Sequence, residues 1–139
     1  MIIAVIDGQG GGIGREIVEK LRKKLPDDIE IIALGTNSAA TSAMIRAGAA
    51  RGATGENAII FNAAKVDIII GVIGIIAANS MMGELTKGMA AAVTMSGAKK
   101  ILVPINRCNI EIAGVDKKLL IPDLIDEAVL SVIETIKNI

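Results

Sequence analysis

Histidine, tyrosine and tryptophan are absent from this chain, and phenylalanine and cysteine occur once each, as Phe61 and Cys108. Without imidazole, no side chain titrates near neutrality at its ordinary pKa, and a histidine-based metal site is excluded. Without tyrosine, no phenol is available to protonate a carbonyl. A single cysteine allows neither an intrachain disulfide nor a thiolate cluster for zinc, so no metal is expected. Excess charge of one sign is missing too: 15 Lys and Arg balance 15 Asp and Glu. That balance argues against a nucleic-acid backbone as partner. The longest uncharged stretch, residues 68–83, is interrupted by glycine, Asn79 and Ser80. It is too short to span a bilayer, so no membrane partner is expected. Asp7 breaks the first apolar run before it reaches the length of a signal peptide, which makes the cytoplasm the expected compartment.

What the chain has in abundance is aliphatic surface. At 139 residues and 52% hydrophobic composition it reads as one domain spanning 1–139, burying roughly 68% of its unfolded surface. The surplus of apolar side chains predicts burial between subunits, hence a homo-oligomer. Short apolar runs alternate with longer periodic ones, the pattern of parallel strands linked by helices. Strands are expected at about Ile2–Ile6, Glu30–Leu34, Ala49–Ala53, Asp67–Gly71 and Lys100–Ile105, with a sixth at the edge over Ile110–Val115. Helices are expected at about Gly12–Lys24, from Asn37 or Ser38 to Ala47, from an opening at Thr54-Gly55-Glu56-Asn57 to about Ala64, up to about Ser96, and from about Pro122 to Lys137. The fold class is therefore α/β: a Rossmann-like three-layer sandwich with a mostly parallel sheet of five or six strands and helices on both faces.

Five of the seven residues from Gly8 to Gly14 are glycine. The segment, Gly8-Gln9-Gly10-Gly11-Gly12-Ile13-Gly14, lies between the first strand and the first helix. A strand that ends in glycines and turns into a helix aims backbone N–H groups and a positive dipole end at one point, which suits a phosphate. Glycine is costly to order, so such density points to close backbone approach by a ligand. Gly8, Gly12, Ile13 and Gly14 fit a G-x-x-x-G-I-G spacing that resembles the cofactor loop of short-chain dehydrogenases. The likeness stops there. Asp7 stands where those enzymes usually carry threonine, strand four runs into Gly71-Val72-Ile73-Gly74, and the catalytic tyrosine is missing. Nor does an acid end strand two, where a ribose hydroxyl would be read. Gly35-Thr36-Asn37 stands there, with Arg46 and Arg51 close in sequence. The expected ligand is a small phosphate-bearing molecule, either a nicotinamide dinucleotide, with the phosphorylated form favoured, or another nucleotide.

Ligands of open parallel sheets bind beyond the carboxyl ends of the strands. The polar residues expected there are Asp7, Thr36, Asn37, Thr54, Glu56, Asn57, Asn79, Ser80, Glu84, Asn106, Arg107, Cys108 and Asn109. Asn37, Ser38, Thr54 and Asn57 also suit helix caps and turns. Gly8 to Gly14 with Thr36, Asn37, Asn79, Asn106 and Arg107 form the candidate binding set. Asp7 and Glu84 are the candidate acid/base groups, although Glu84 equally suits a helix's first turn. Arg107 could clamp an anion and depress the thiol pKa of Cys108, the candidate nucleophile. Met81, Met82, Met89 and Met95 read as core or subunit interface.

The strings IAVIDGQGGGIG, ALGTN, GATGENAI, MGELT and PINRCN, with the segment from IIIG to AAN, resemble a prokaryotic family of small proteins that has no assigned activity. The likeness covers nearly the whole chain and implies a compact Rossmann-like domain, with no catalytic residues to carry over. Three functions remain open. The first is a nucleotide-binding protein, such as a sensor or accessory subunit. The second is an enzyme acting on a phosphorylated or acyl substrate through Asp7 or Glu84 and Arg107. The third is a structural oligomer without ligand.

Overall fold

The computed structural model describes residues 1–105 and 109–139. Its elements run β1 (Ile2–Asp7), α1 (Gly12–Lys24), β2 (Glu30–Gly35), α2 (Ser38–Arg46), β3 (Arg51–Thr54), α3 (Glu56–Ala63), β4 (Ile68–Val72), a 3₁₀ turn (Ile73–Ile76), α4 (Lys87–Met95), β5 (Lys99–Val103) and α5 (Ile121–Lys137). The five strands form one parallel sheet in the order β3-β2-β1-β4-β5. Parallel strands covered on both faces need near-continuous apolar sequence. Accordingly β4 is buried at every position, and β1 and β2 at all but their first residues.

α1 shows how sequence becomes packing. Ile17, Val18 and Leu21 recur at helical spacing and are buried on the sheet, while Arg22, Lys23 and Lys24 in the last turn suit the negative end of the helix dipole. Leu25 is already extended, as expected of a residue before proline. α1 packs against α2 and α5, and α3 packs against α4. The chain thus covers both faces, giving the expected three-layer α/β sandwich. Asn37 caps α2 through a hydrogen bond to its Oδ1 from the Ala40 N–H at 2.9 Å, and Pro122 sits in the first turn of α5.

The expected edge strand over Ile110–Val115 does not form; those residues make turns and irregular backbone. Gly114 has φ +87° and Asn109 φ +57°, conformations that bend the chain out of the extended region. β3 begins two residues later than expected, at Arg51, and β5 ends two residues earlier, at Val103. The Met-rich stretch after β4 is a 3₁₀ turn followed by consecutive turns, and α4 starts only at Lys87. Glu84 therefore does not belong to a helical first turn. Among the described residues, no helix is long and apolar enough to cross a membrane.

Candidate functional site

Strand order places the topological switch between β1 and β4. The chain winds outward from β1 through β2 to β3, then returns across β1 to build β4 and β5. Pairing of β1 with β4 ends at Val5 and Ile70. Beyond that point the two strands and their loops part, which is where such sheets hold ligands. A cavity of about 160 Å³ opens there, lined by Asp7, Gly8, Gln9, Ile13, Val72, Gly74, Ser80, Met81 and Ile105. An apolar cavity of roughly 150 Å³ accommodates a benzene-sized ring, so this one has about the volume of a single ring.

The glycines of the first loop divide by what surrounds them. A Cβ on Gly8 would lie 2.5 Å from Met81 Sδ and 2.6 Å from Thr36 Oγ1, and one on Gly14 would lie 2.6 Å from Met44 Sδ. Those two glycines serve packing. Gly11 has φ +73°, and a Cβ there would sit 2.8 Å from the Ala40 Cα, so it serves the turn, closed by the Gly11 N–H donating to Gly8 O. Gly10 and Gly12 are different. Both are exposed, and a Cβ on either would meet none of the described residues within 4 Å. They border the first turn of α1, where the N–H groups of Gly12 and Ile13 have no acceptor within the helix.

Asp7 sits behind this loop, buried, with 7% of its surface exposed. Its Oδ1 accepts from the Gly8 N–H at 2.8 Å and its Oδ2 from the Gly14 N–H at 2.7 Å. The carboxylate thus binds one of the first-turn donors of α1 from inside and offsets part of the helix dipole. A phosphate approaching from outside meets the remaining first-turn donors with that charge behind them.

Glu84 reaches the site from the opposite loop. Its Oε1 accepts from the Thr36 hydroxyl at 2.6 Å, the Asn37 amide at 2.8 Å and the Gln9 N–H at 3.0 Å. The Asn37 amide also donates to Gln9 O at 2.9 Å. The loops after β1, β2 and β4 are thereby tied at one oxygen. The Thr36 hydroxyl and the Gln9 N–H, helped by Asn37, hold the Glu84 carboxyl below the usual glutamate range, against the opposing push of partial burial. A carboxylate stabilised in its charged form is a weaker proton acceptor, so this geometry suits an anchor or a hydrogen-bond acceptor better than a general base.

Backbone strain concentrates on the same two loops. Gln9 has φ +48°, Asn79 +65°, and Met81 and Met82 +57° each. Non-glycine residues in this region are uncommon and collect at functional sites. Ser80 is buried between them and donates its hydroxyl to Gly74 O at 2.6 Å.

Of the binding set read from sequence, Gly8, Gln9 and Ile13 line the cavity. Gly10, Gly11, Gly12 and Gly14 belong to the same loop and helix start without lining it. Thr36 and Asn37 bond Glu84, which meets the Gln9 N–H beside the cavity and is not itself a lining residue. Asn79 does not line it: it is exposed in a left-handed turn, where asparagine is tolerated because its side chain bonds locally. Asn106, Arg107 and Cys108 lie outside the described residues. Thr54 meets the Thr41 hydroxyl and Glu56 meets the Thr86 hydroxyl, both as connections between elements. Arg51 opens β3 at the far edge of the sheet and pairs with Glu30 at 2.8 Å. Arg46 is in the last turn of α2, also away from the strand ends. Sequence proximity had suggested both for a 2′-phosphate, but strand direction carries them off. Val72, Gly74, Met81 and Ile105 were not in that set, because small and apolar residues carry no chemical signature, while Ser80 was expected at this edge and lines the cavity. Among the described residues, no three carboxylates or thiols gather as a metal site would require.

Comparison with known proteins agrees with this architecture. The model of a family described as a domain of unknown function, DUF3842, matches residues 2–137; the chain belongs to that family. No protein of curated function matches it. A solved structure with a similar fold is a dodecameric FMN-dependent UbiX-like decarboxylase from Escherichia coli O157:H7. It is 17% identical, with a TM-score of 0.50, and the match covers 98% of this chain and 94% of that one.

Proposed function

We propose that this DUF3842 protein binds a nucleotide at the crevice between β1 and β4. The phosphates lie on Gly10, Gly12 and the Ile13 N–H, and a ring of the ligand enters the cavity. The observation that carries this reading is the division of the glycines. Gly8, Gly11 and Gly14 are accounted for by packing and turn geometry, whereas no described residue occupies the space beside Gly10 and Gly12. Ordering glycine costs more backbone entropy than ordering any other residue, and open approach to helix N–H donors offsets that cost when a phosphate binds. The FMN dependence of the structural neighbour adds flavin mononucleotide to the nicotinamide nucleotides as a ligand worth testing. Its dodecameric state fits the expectation of a homo-oligomer here, with Ile60, Phe61 and Met95 exposed on α3 and α4.

The test uses the missing chromophores. With no tyrosine or tryptophan, the protein is nearly transparent in the near ultraviolet, so a strong band there belongs to a bound molecule. The purified protein should carry such a band or bind FMN, NADH, NADPH or ADP by calorimetry, with mass spectrometry of acid-released material naming any passenger. Gly12→Val has room for its side chain and should melt like the wild type while losing the ligand. Retained affinity in that variant, or failure of the wild type to bind any of these nucleotides, defeats the reading.

A further inference from the structure

We infer that Glu84 reads the ribose at this site, accepting a hydrogen bond from the 2′-hydroxyl, so that the protein takes nucleotides with a free 2′-hydroxyl and rejects 2′-phosphates. This rests on the nucleotide reading above and sharpens it. In sheets of this strand order, a dinucleotide's ribose is met by a carboxylate at the end of β2. Here β2 ends in Gly35, followed by Thr36 and Asn37, and supplies no acid of its own. The fold brings one from the other side of the switch point. Glu84 Oε1 lies 2.6 Å from Thr36 Oγ1 and 2.8 Å from Asn37 Nδ2, so its carboxylate stands where the β2 acid would.

The orientation is suited to a second partner. The Thr36, Asn37 and Gln9 donors all address Oε1, which leaves Oε2 for a ligand hydroxyl. The same contacts fix the carboxylate before a ligand arrives, so little rotamer entropy is lost on binding. Delivering Glu84 across the crevice requires left-handed backbone at Met81, Met82 and Gly83, a conformation a connecting loop has no need of for its own sake. The charge of Glu84 opposes a 2′-phosphate. Of the two arginines close in sequence to the end of β2, Arg46 ends α2 and Arg51 opens β3, already paired with Glu30. The expectation of a phosphorylated nicotinamide nucleotide is thus reversed on this reading.

The experiment is calorimetric titration of the wild type and Glu84→Gln with NADH, NADPH, and ADP, GDP, CDP and UDP beside their 2′-deoxy forms. The wild type should bind NADH at least about tenfold tighter than NADPH, and the best ribonucleotide about tenfold tighter than its deoxy form, because an unmet acceptor is what penalises the analogue. Glu84→Gln should bring both ratios to within about threefold. Equal binding of ribo- and deoxyribonucleotides by the wild type, or tighter binding of NADPH, overturns the inference and leaves the nucleotide reading standing. Loss of ribo- and deoxyribonucleotide affinity alike in Glu84→Gln assigns Glu84 to holding the loops and overturns it too. No binding of any of these nucleotides overturns the inference, and overturns the nucleotide reading with it when FMN fails to bind as well. The wild-type ratios need no variant, so the outcome does not depend on how Glu84→Gln folds.

Discussion

The loop after β1 and the loop after β4 face each other across one crevice, and they reach it by different means. The first is short and made of glycine, turned by a positive φ at Gly11, with Gly8 and Gly14 leaving room for Met81, Thr36 and Met44. The second is long and carries large side chains in left-handed backbone at Met81 and Met82. It is held by contacts distant in sequence, above all Glu84 to Thr36, Asn37 and Gln9. A loop shaped by its own residues announces itself in the sequence. One shaped by its destination does not.

The sharpest way to break this comparison is within the glycines themselves. Gly11→Ala should destabilise the fold by about 3 kcal/mol, since a left-handed alanine costs ~1–2 kcal/mol and its Cβ meets backbone. Gly10→Ala and Gly12→Ala should shift stability by less than about 1 kcal/mol in either direction. Denaturant unfolding followed by circular dichroism separates the cases, and equal losses at all three positions would remove the distinction. Next in size is Asp7→Asn, which keeps one acceptor but removes the charge facing Gly8 and Gly14. A loss of about 1–3 kcal/mol is expected, together with tighter phosphate binding, because the repelling charge behind the loop is gone. Calorimetry showing weaker phosphate binding in a folded Asp7→Asn would place the carboxylate on the ligand's side of the donors.

Glu84→Gln tests the second loop. Its hydrogen bonds hold the carboxyl below the ordinary value of 4.5, so the folded state favours the charged form more than the unfolded state does. The stabilisation is then complete above that ordinary value and is lost as pH falls through the lowered one. Wild type should exceed Glu84→Gln by about 1 kcal/mol at neutral pH, discounted for partial exposure, and the gap should close in acid. A gap that widens in acid would contradict the assigned direction. The smallest effect belongs to a pair outside both loops: Asp126→Asn, which removes the ion pair between Lys20 on α1 and α5 and leaves the Lys20 bond to Pro122 O, should cost no more than about 0.5 kcal/mol. A larger loss there would mean that α5 is held by charge more than by Leu124, Ile125, Ala128 and Val129.

Much of the fold is legible along the chain because its causes are local. The continuous aliphatic runs of β1, β2 and β4, the spacing of Ile17, Val18 and Leu21, the Asn37 cap and Pro122 each act over a few residues. Residues 110–115 misled because alternating apolar and polar side chains resemble a strand, whereas Asn109 and Gly114 bend the backbone and nothing pairs with it among the described residues.

Sequence by itself determined that this is a parallel α/β protein with a glycine-built turn at the start of α1, and it excluded histidine and tyrosine chemistry. Both conclusions follow from residue type and short-range periodicity, which survive without tertiary context. Only the tertiary structure decided which glycines face outward, that Asp7 turns inward to the Gly8 and Gly14 N–H groups, and that Arg46 and Arg51 lie away from the carboxyl ends of the strands. It alone placed Glu84 against Thr36, 48 positions away in the chain. Such a contact depends on where two loops converge across a switch point, and no local propensity encodes that.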